Sequence, residues 1–326
     1  MATEDRPGSG NEPLVSVVIP TFNRPEYLRI ALASVLNQTH RSLDIIVHDN
    51  ASTVDPRAIV DAFGDSRIRY FRNATTISQT ANVIAGCGKA VGKYVAILGD
   101  DDVWHPEFIR ALVAPLEADA DLVIAFCDHE IIDAAGVTDR AATERVRRSF
   151  QRHQLREGVY RPFDEIALVF RSICVFSAAV LRRSDIDWQA VPLELGFGPV
   201  DHYLAYLAAR TGKGCYYVPR RLAQYRYHAL ALGSSLTRPD QKLASARYAM
   251  VYWAKLADDR TLTRSRRYFE MKRAFNALLI VTALWRCGDW REAAGQLRHY
   301  WHDGLIRPRS FLDHLAYAIK LRRVRA

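Results

Sequence analysis

The sequence predicts an α/β fold: a mostly parallel sheet flanked by helices, with a helical C-terminal extension. Three observations carry this prediction. Short, continuous apolar runs recur at Leu14–Pro20, Leu43–Val47, Tyr94–Leu98 and Leu122–Cys127, and such runs suit strands covered on both faces. Helically spaced segments lie between them, which is the alternation of a parallel α/β sheet. Polar clusters follow three of the runs, at Thr21-Phe22-Asn23-Arg24, Asp49-Asn50 and Asp100-Asp101-Asp102. Open parallel sheets bind ligands beyond the carboxyl ends of their strands, so three separate clusters are expected to meet on one rim.

The elements follow in order. Leu14–Pro20 is β-branched and continuous. Pro25 stands where a helix can begin, and Glu26–Gln38 repeats apolar residues at Leu28, Leu32, Val35 and Leu36. Leu43–Val47 reads as a strand, Asp49–Ser52 as a polar turn, Pro56–Phe63 as a helix and Ile68–Phe71 as a short strand. Ser78–Ala90 is helical and closed by Gly92, Tyr94–Leu98 is a buried strand, Pro106–Leu116 a helix and Leu122–Cys127 a fourth buried strand. Thr138–Glu157 is charged, Arg-rich and without clean periodicity, which predicts a mobile loop or insertion. Phe163–Phe170 looks helical and Cys174–Leu181 strand-like. A Gly-x-Gly turn falls in Leu195–Pro199, a helix over Asp201–Arg210 and a strand at Tyr216–Val218. Beyond Ser235 the pattern is helical, over Asp240–Leu256, Arg264–Arg286, Trp290–Tyr300 and Ser310–Leu321. The division expected is a loose tail over 1–12, an α/β domain over 13–235 and a basic helical region over 236–326.

Composition narrows the class. The chain has 326 residues, 49% hydrophobic and 25% charged, which excludes a disordered or collagen-like protein. Five dispersed cysteines without C-x-x-C spacing argue against a disulfide framework or structural zinc, and for buried thiols in a reducing compartment. The polar N-terminus lacks the apolar core of a signal peptide, and the apolar stretch Ala274–Trp285 is too short for a bilayer. A cytoplasmic protein is expected. The net charge of +9 is uneven: the last 67 residues carry 15 basic and 5 acidic side chains, whereas the first 259 carry 30 and 31. A neutral body does not suit a nucleic-acid surface, so no nucleic-acid partner is expected.

The acidic triplet is the sharpest chemical signal. Adjacent carboxylates after a buried strand raise one another's cost of ionisation, and a hard divalent cation such as Mg²⁺ or Mn²⁺ offsets it. A solvated turn is the plainer alternative. Gly86-Cys87-Gly88 and Gly92 do not fit G-x-G-x-x-G, and Gly88–Lys93 misses G-x-x-x-x-G-K-[ST], which weakens a dehydrogenase or a P-loop enzyme.

These residues carry a resemblance. VSVVIPTFNRPEYLRIALASVLNQT, DIIVHDNAS and AVGKYVAILGDDDVWHPEFI resemble, in order and spacing, the first half of a family 2 glycosyltransferase with the GT-A fold. FGPVDHYLAYLAARTGKGCYYVP resembles the segment that supplies the catalytic base, and AQYRYH the closing YR-x-H segment; the likeness covers roughly 14–235. It implies an inverting, metal-dependent transfer of a sugar from a nucleoside-diphosphate sugar, UDP or dTDP preferred. The acceptor would be a hydroxyl of a glycan, a lipid-linked molecule or a natural product. Pro20, Thr21, Asn23 and Arg24 would lie against the nucleotide, Asp49 would accept from the base and Asp100 would face the ribose. Asp101 would bind the metal, Mn²⁺ or Mg²⁺, with Asp102 as second ligand or support and His228 as a further ligand. Asp201 would be the general base, since a single in-line displacement needs one carboxylate on the acceptor side. The chain departs from the family in having Gly99 where many members have Asp, and Ala81 where many have Arg.

Plainer roles stand beside these: a solvated loop charge for Arg24, a helix cap for Asp201, and a packed or surface residue for His228. His202 stands beside the proposed base, and Trp104 is expected to pack rather than to bind sugar. A nucleotidyltransferase and a non-catalytic basic binding protein are the competing functions. The final helix sets Phe311, Leu315 and Ile319 beside basic residues. A peripheral contact with the inner membrane face is the sharper expectation for it, and a packed helix the plainer one.

Overall fold

The computed structural model describes residues 12–193, 200–227 and 239–306. His228, the Gly-x-Gly turn at 195–199 and the helix expected at 310–321 lie outside the described residues.

Among the described residues one sheet contains nine strands: β1 (Val15–Thr21), β2 (Leu43–Asp49), β3 (Ile68–Arg72), β4 (Tyr94–Ile97), β5 (Val103–Trp104), β6 (Leu122–Ile132), β7 (Gly158–Tyr160), β8 (Ala179–Arg182) and β9 (Gly214–Arg226). Their order is β3-β2-β1-β4-β8-β6-β9-β5, with β7 also on β9. β1, β2, β3 and β4 run parallel, as do β6 and β9. β8 is antiparallel between β4 and β6, and β5 and β7 are antiparallel to β9. The chain steps outward from β1 to β3 and then returns to the other side of β1 with β4. That reversal opens a crevice at the carboxyl ends of β1 and β4, where Thr21–Arg24 and Asp100–Asp102 emerge.

Both faces of the sheet are covered, which is why the central strands read as unbroken apolar runs. Val17 and Ile19 join one buried cluster with Ile45, Val47, Leu28 and Leu32, while Val18 joins the opposite one with Ile46, Val95 and Ile97. Each such side chain contributes about 1.5–3 kcal/mol on burial. The helix Pro25–Leu36 starts with proline at its first position and buries Leu28, Ala31, Leu32 and Val35.

Three expectations need correction. The segment 138–157 is not a loop: Arg140–Ser149 is a helix, with the Asp139 carboxylate accepting from the Ala142 N–H at 2.8 Å. Its Arg-rich exposed face hid the anchors, the buried Thr143, whose Oγ accepts from the Ile131 N–H at 2.9 Å, and Arg147, which pairs with Asp128 at 3.0 Å. Cys174–Leu181 is not one strand, because Val175–Ala178 forms a kinked turn before β8. Glu165–Val169 is a single π-helical turn, not a regular helix.

The helices Pro239–Asp258, Arg266–Cys287 and Trp290–His302 complete the described chain. Tyr252, Trp253, Leu256 and Phe269 belong to the same buried cluster as Tyr203, Leu204 and Leu207 of the helix Val200–Ala209. Among the described residues no helix is long and apolar enough to cross a membrane.

Candidate active site

The three polar strand ends meet. At the end of β1 the Thr21 hydroxyl donates to Asp100 Oδ2 at 2.8 Å, and the Phe22 N–H donates to the same oxygen at 3.3 Å. Arg24 Nη1 reaches Asp100 Oδ1 at 3.2 Å and Asp101 Oδ2 at 2.6 Å, so Arg24 is a partner of the acidic triplet and not a solvated loop charge. Burial, and then the charge of Asp101, push the Asp100 carboxyl up to about 6. The same two causes raise Asp102 further, against hydrogen bonds from Ser177 and Arg226 that favour its charged form.

The second rim is built on β2 and β3. Asn23 has a left-handed backbone, φ 55°; its N–H donates to Ser52 Oγ at 2.9 Å and its Oδ1 accepts from the Thr53 N–H at 2.7 Å. Asp49 is fully buried beneath that turn. Its Oδ1 accepts from the Ser52 N–H and from Ser52 Oγ, the latter at 2.5 Å, and its Oδ2 accepts from Arg72 Nη1 at 2.9 Å and Tyr70 OH at 3.2 Å. The carboxylate therefore fixes Ser52 and Arg72. Pro20 sits beside His48 in the strand register, one step before Thr21.

The third wall comes from the other half of the chain. Asp201 is the second residue of the helix Val200–Ala209 and is half-buried. Its Oδ1 accepts from the Phe176 N–H at 2.8 Å, a bond across the site and not a cap of its own helix. Burial outweighs the backbone donors of Phe176 and Val175 and lifts the carboxyl to about 6. One residue on, Ser177 Oγ donates to Asp102 Oδ2 at 2.5 Å and accepts from the Gly99 N–H at 3.0 Å, while its carbonyl accepts from Trp104 Nε1 at 2.7 Å. Trp104 is buried and stacks on Phe108 at 4.2 Å, a packing role. Ser177 holds this position at φ 64°, uncommon for a residue with a side chain.

Sequence reasoning missed Ser52, Arg72 and Ser177 as members of the site. Arg226, inside the closing YR-x-H segment, is also part of it: its N–H donates to Asp102 Oδ1 at 2.9 Å and its Nε to the Asp101 carbonyl at 2.7 Å. Gly99 has a steric reason. A Cβ there would stand 2.9 Å from Asp102 Oδ2 and 3.0 Å from Asp101 Oδ1, so the site excludes a side chain at the position where many family members carry Asp.

Among the described residues no three metal-binding side chains cluster tightly enough to cage an ion. Hard cations of the magnesium type are commonly held by one or two carboxylates completed by substrate phosphates and water. Asp101 beside the sequestered Asp100 and Asp102 fits that mode, and the raised carboxyls mark a place where added positive charge is favourable.

The crevice at the switch point of the sheet is thus rimmed by Asp100, Asp101 and Asp102, and Asp201 is tied to the same turn that holds Asp102. Residues 16–176 match the model of glycosyl transferase family 2, and this part of the chain belongs to that family. Abequosyltransferase RfbV of Salmonella typhimurium is 34% identical over 122 residues, 36% of each chain. A Campylobacter jejuni protein named GalNAc(5)-diNAcBac-PP-undecaprenol beta-1,3-glucosyltransferase is 39% identical over 93 residues, 28% of this chain and 30% of its own. The chain spans well under half the length of these curated relatives. Two solved structures share the GT-A fold over nearly the whole chain. Staphylococcus aureus TarS 1-349 in complex with UDP-GlcNAc has a TM-score of 0.64 at 15% identity, covering 95% of this chain and 89% of that one. The mannosyltransferase PcManGT of Pyrobaculum calidifontis, in complex with GDP-Man and Mn²⁺, has 0.57 at 17% identity, covering 96% and 87%.

Proposed function

We propose that the protein is an inverting glycosyltransferase that moves a sugar from a nucleoside-diphosphate sugar, UDP or dTDP preferred, to the hydroxyl of a glycan, lipid-linked or natural-product acceptor. The observation that carries this reading is the turn Val175–Ala178, which binds Asp201 through the Phe176 N–H and Asp102 through Ser177 Oγ. One rigid segment thereby sets an acceptor-side carboxylate against the acidic rim expected to face the donor. Asp201, half-buried and lifted to about 6, is ionised at neutral pH yet basic enough to take the acceptor proton as the C–O bond forms. Asp49, Ser52 and Asn23 shape the pocket for the base, Thr21 and Asp100 set the rim beside the ribose, and Arg24 adds positive charge near the diphosphate.

Asp101, backed by Asp102, would hold a divalent cation, Mn²⁺ or Mg²⁺, which when bound neutralises charge on the leaving diphosphate. Support comes from the donor set itself and from the Mn²⁺ and GDP-Man named with PcManGT. The UDP-GlcNAc named with TarS supports a uridine donor, and the undecaprenol diphosphate in the Campylobacter protein's name supports a lipid-linked acceptor. The test is nucleoside diphosphate release from a donor panel, with thermal shifts of nucleoside diphosphates measured with and without Mn²⁺. Release abolished by EDTA and by Asp201→Asn is the expected result. Turnover that survives both treatments overturns the reading.

A further inference from the structure

Beside Asp201 lies a group of basic side chains that donor chemistry does not use. Arg171 is exposed and has a left-handed backbone at φ 57°. Strain of this kind in a long side chain is a pointer to function. The following residue pins it: the Ser172 N–H donates to the Ile166 carbonyl at 2.9 Å and its Oγ to the Phe150 carbonyl at 2.6 Å. Arg171 Nε donates to His202 Nε2 at 2.5 Å, which requires a neutral imidazole with that nitrogen unprotonated. Burial and the neighbouring charges of Arg171 and Lys272 keep His202 well below its usual value, in agreement.

Lys272, on the helix Arg266–Cys287, is near enough for its charge to act on His202 and for that of Arg171 to act on it. Its ammonium lies 5.6 Å from the Trp253 ring, 6.0 Å from Tyr268 and 5.7 Å from Phe275. Tyr252 joins the two groups, stacking on His202 at 6.4 Å and meeting Trp253 edge-on at 5.1 Å. Arg171 and Lys272 are both desolvated, and Arg171 depresses Lys272 by repulsion. Among the described residues neither makes an ion pair, and the one carboxylate whose charge reaches Arg171 is that of Asp201. Two cations that repel one another, walled by aromatic rings and still open to water, form a site for an anion.

We propose that Arg171 and Lys272, with His202, form an oxyanion subsite on the acceptor side of Asp201, which takes a phosphate or carboxylate carried close to the acceptor hydroxyl. The helical region after residue 239 then helps to select the acceptor. The inference rests on the glycosyltransferase reading only for the statement that the anion belongs to an acceptor.

The test titrates the full chain in EDTA with methyl phosphate, followed by ³¹P NMR, and in parallel with ¹³C-acetate. Saturable binding is expected. Arg171→Gln and Lys272→Met should each weaken it by about tenfold, and Lys272→Arg should restore it to within about threefold. Preference for methyl phosphate assigns a phosphate-bearing acceptor, and equal binding assigns the subsite to oxyanions in general. No saturable binding, or an affinity that ignores both variants, overturns the subsite. Should Arg171→Gln not fold, Lys272→Met carries the test, since methionine is readily accommodated on a helix. Nucleoside diphosphate binding with Mn²⁺ is measured on a second portion of the same preparation, exchanged out of EDTA. Its failure, with methyl phosphate still sensitive to Lys272, removes the glycosyltransferase reading and leaves the subsite standing.

Discussion

Ser177 Oγ lies 2.5 Å from Asp102 Oδ2 and holds a buried carboxylate that has no counter-cation of its own in that contact. Replacing the hydroxyl leaves that oxygen short of a donor. Ser177→Ala is expected to cost about 1–3 kcal/mol of stability and to lower kcat/KM by about 10–100-fold with little change in the circular dichroism spectrum. Turnover equal to that of the unaltered chain would show that the turn does not orient the acidic rim.

Asp201, as the proposed base, is expected to carry the pH dependence of turnover. With its carboxyl lifted to about 6, the basic form is lost as the pH falls through that value. The logarithm of kcat/KM should then decline with unit slope below about pH 6. Asp201→Asn should lower kcat by about 10²–10⁴-fold and remove that limb. The stability sign is opposite to that of a paired carboxylate. A folded-state value above the ordinary 3.8 contributes stability below the unfolded value, and the contribution is lost as the pH rises through about 6. Asp201→Asn should therefore melt no lower than the unaltered chain at pH 8, measured by calorimetry; a marked drop would point to a structural role instead.

Gly99→Ala places a methyl against Asp102 Oδ2, which Ser177 and Arg226 prevent from moving aside. The expected cost is about 1–3 kcal/mol, with weaker Mn²⁺ binding in a calorimetric titration. An unchanged Mn²⁺ affinity would separate the triplet from metal binding.

Ser52→Ala removes two contacts at once, the hydroxyl on Asp49 and the acceptor for the Asn23 N–H. It should weaken nucleoside diphosphate binding by about tenfold and cost about 1–3 kcal/mol. If the melting temperature falls and the nucleotide affinity does not, the β1 and β2 loops shape the fold and not the base pocket.

The first half of the sheet is legible in the sequence because its signals are local. β-Branched runs such as Val15–Ile19 specify strands wherever both faces are covered, and the polar residues that end them must emerge at one edge. The wall around Asp201 is written in contacts distant in sequence. Val175-Phe176-Ser177-Ala178 has the composition of a strand, yet its N–H groups and hydroxyl are taken by Asp201 and Asp102. Nothing beside Arg171 in the chain marks it as the neighbour of Lys272, about a hundred residues away. The polar turn after β2 marks Asp49 as a candidate for the base, but its four donors within the chain, from Ser52, Tyr70 and Arg72, depend on how β3 sits against β2 and have no local signal.

The family match ends at Phe176, inside the turn whose next residue is Ser177. The segment matched by the family model and the rest of the chain are thus joined at the turn that binds Asp201 through Phe176 and Asp102 through Ser177. If the proposed subsite selects the acceptor, substitutions in the later helices should alter acceptor preference and leave the rim at Asp100–Asp102 in place, provided the backbone at 175–177 keeps its path. Chimeras with other members of the family should accordingly retain donor binding when spliced after β8, and lose it when the junction cuts the turn.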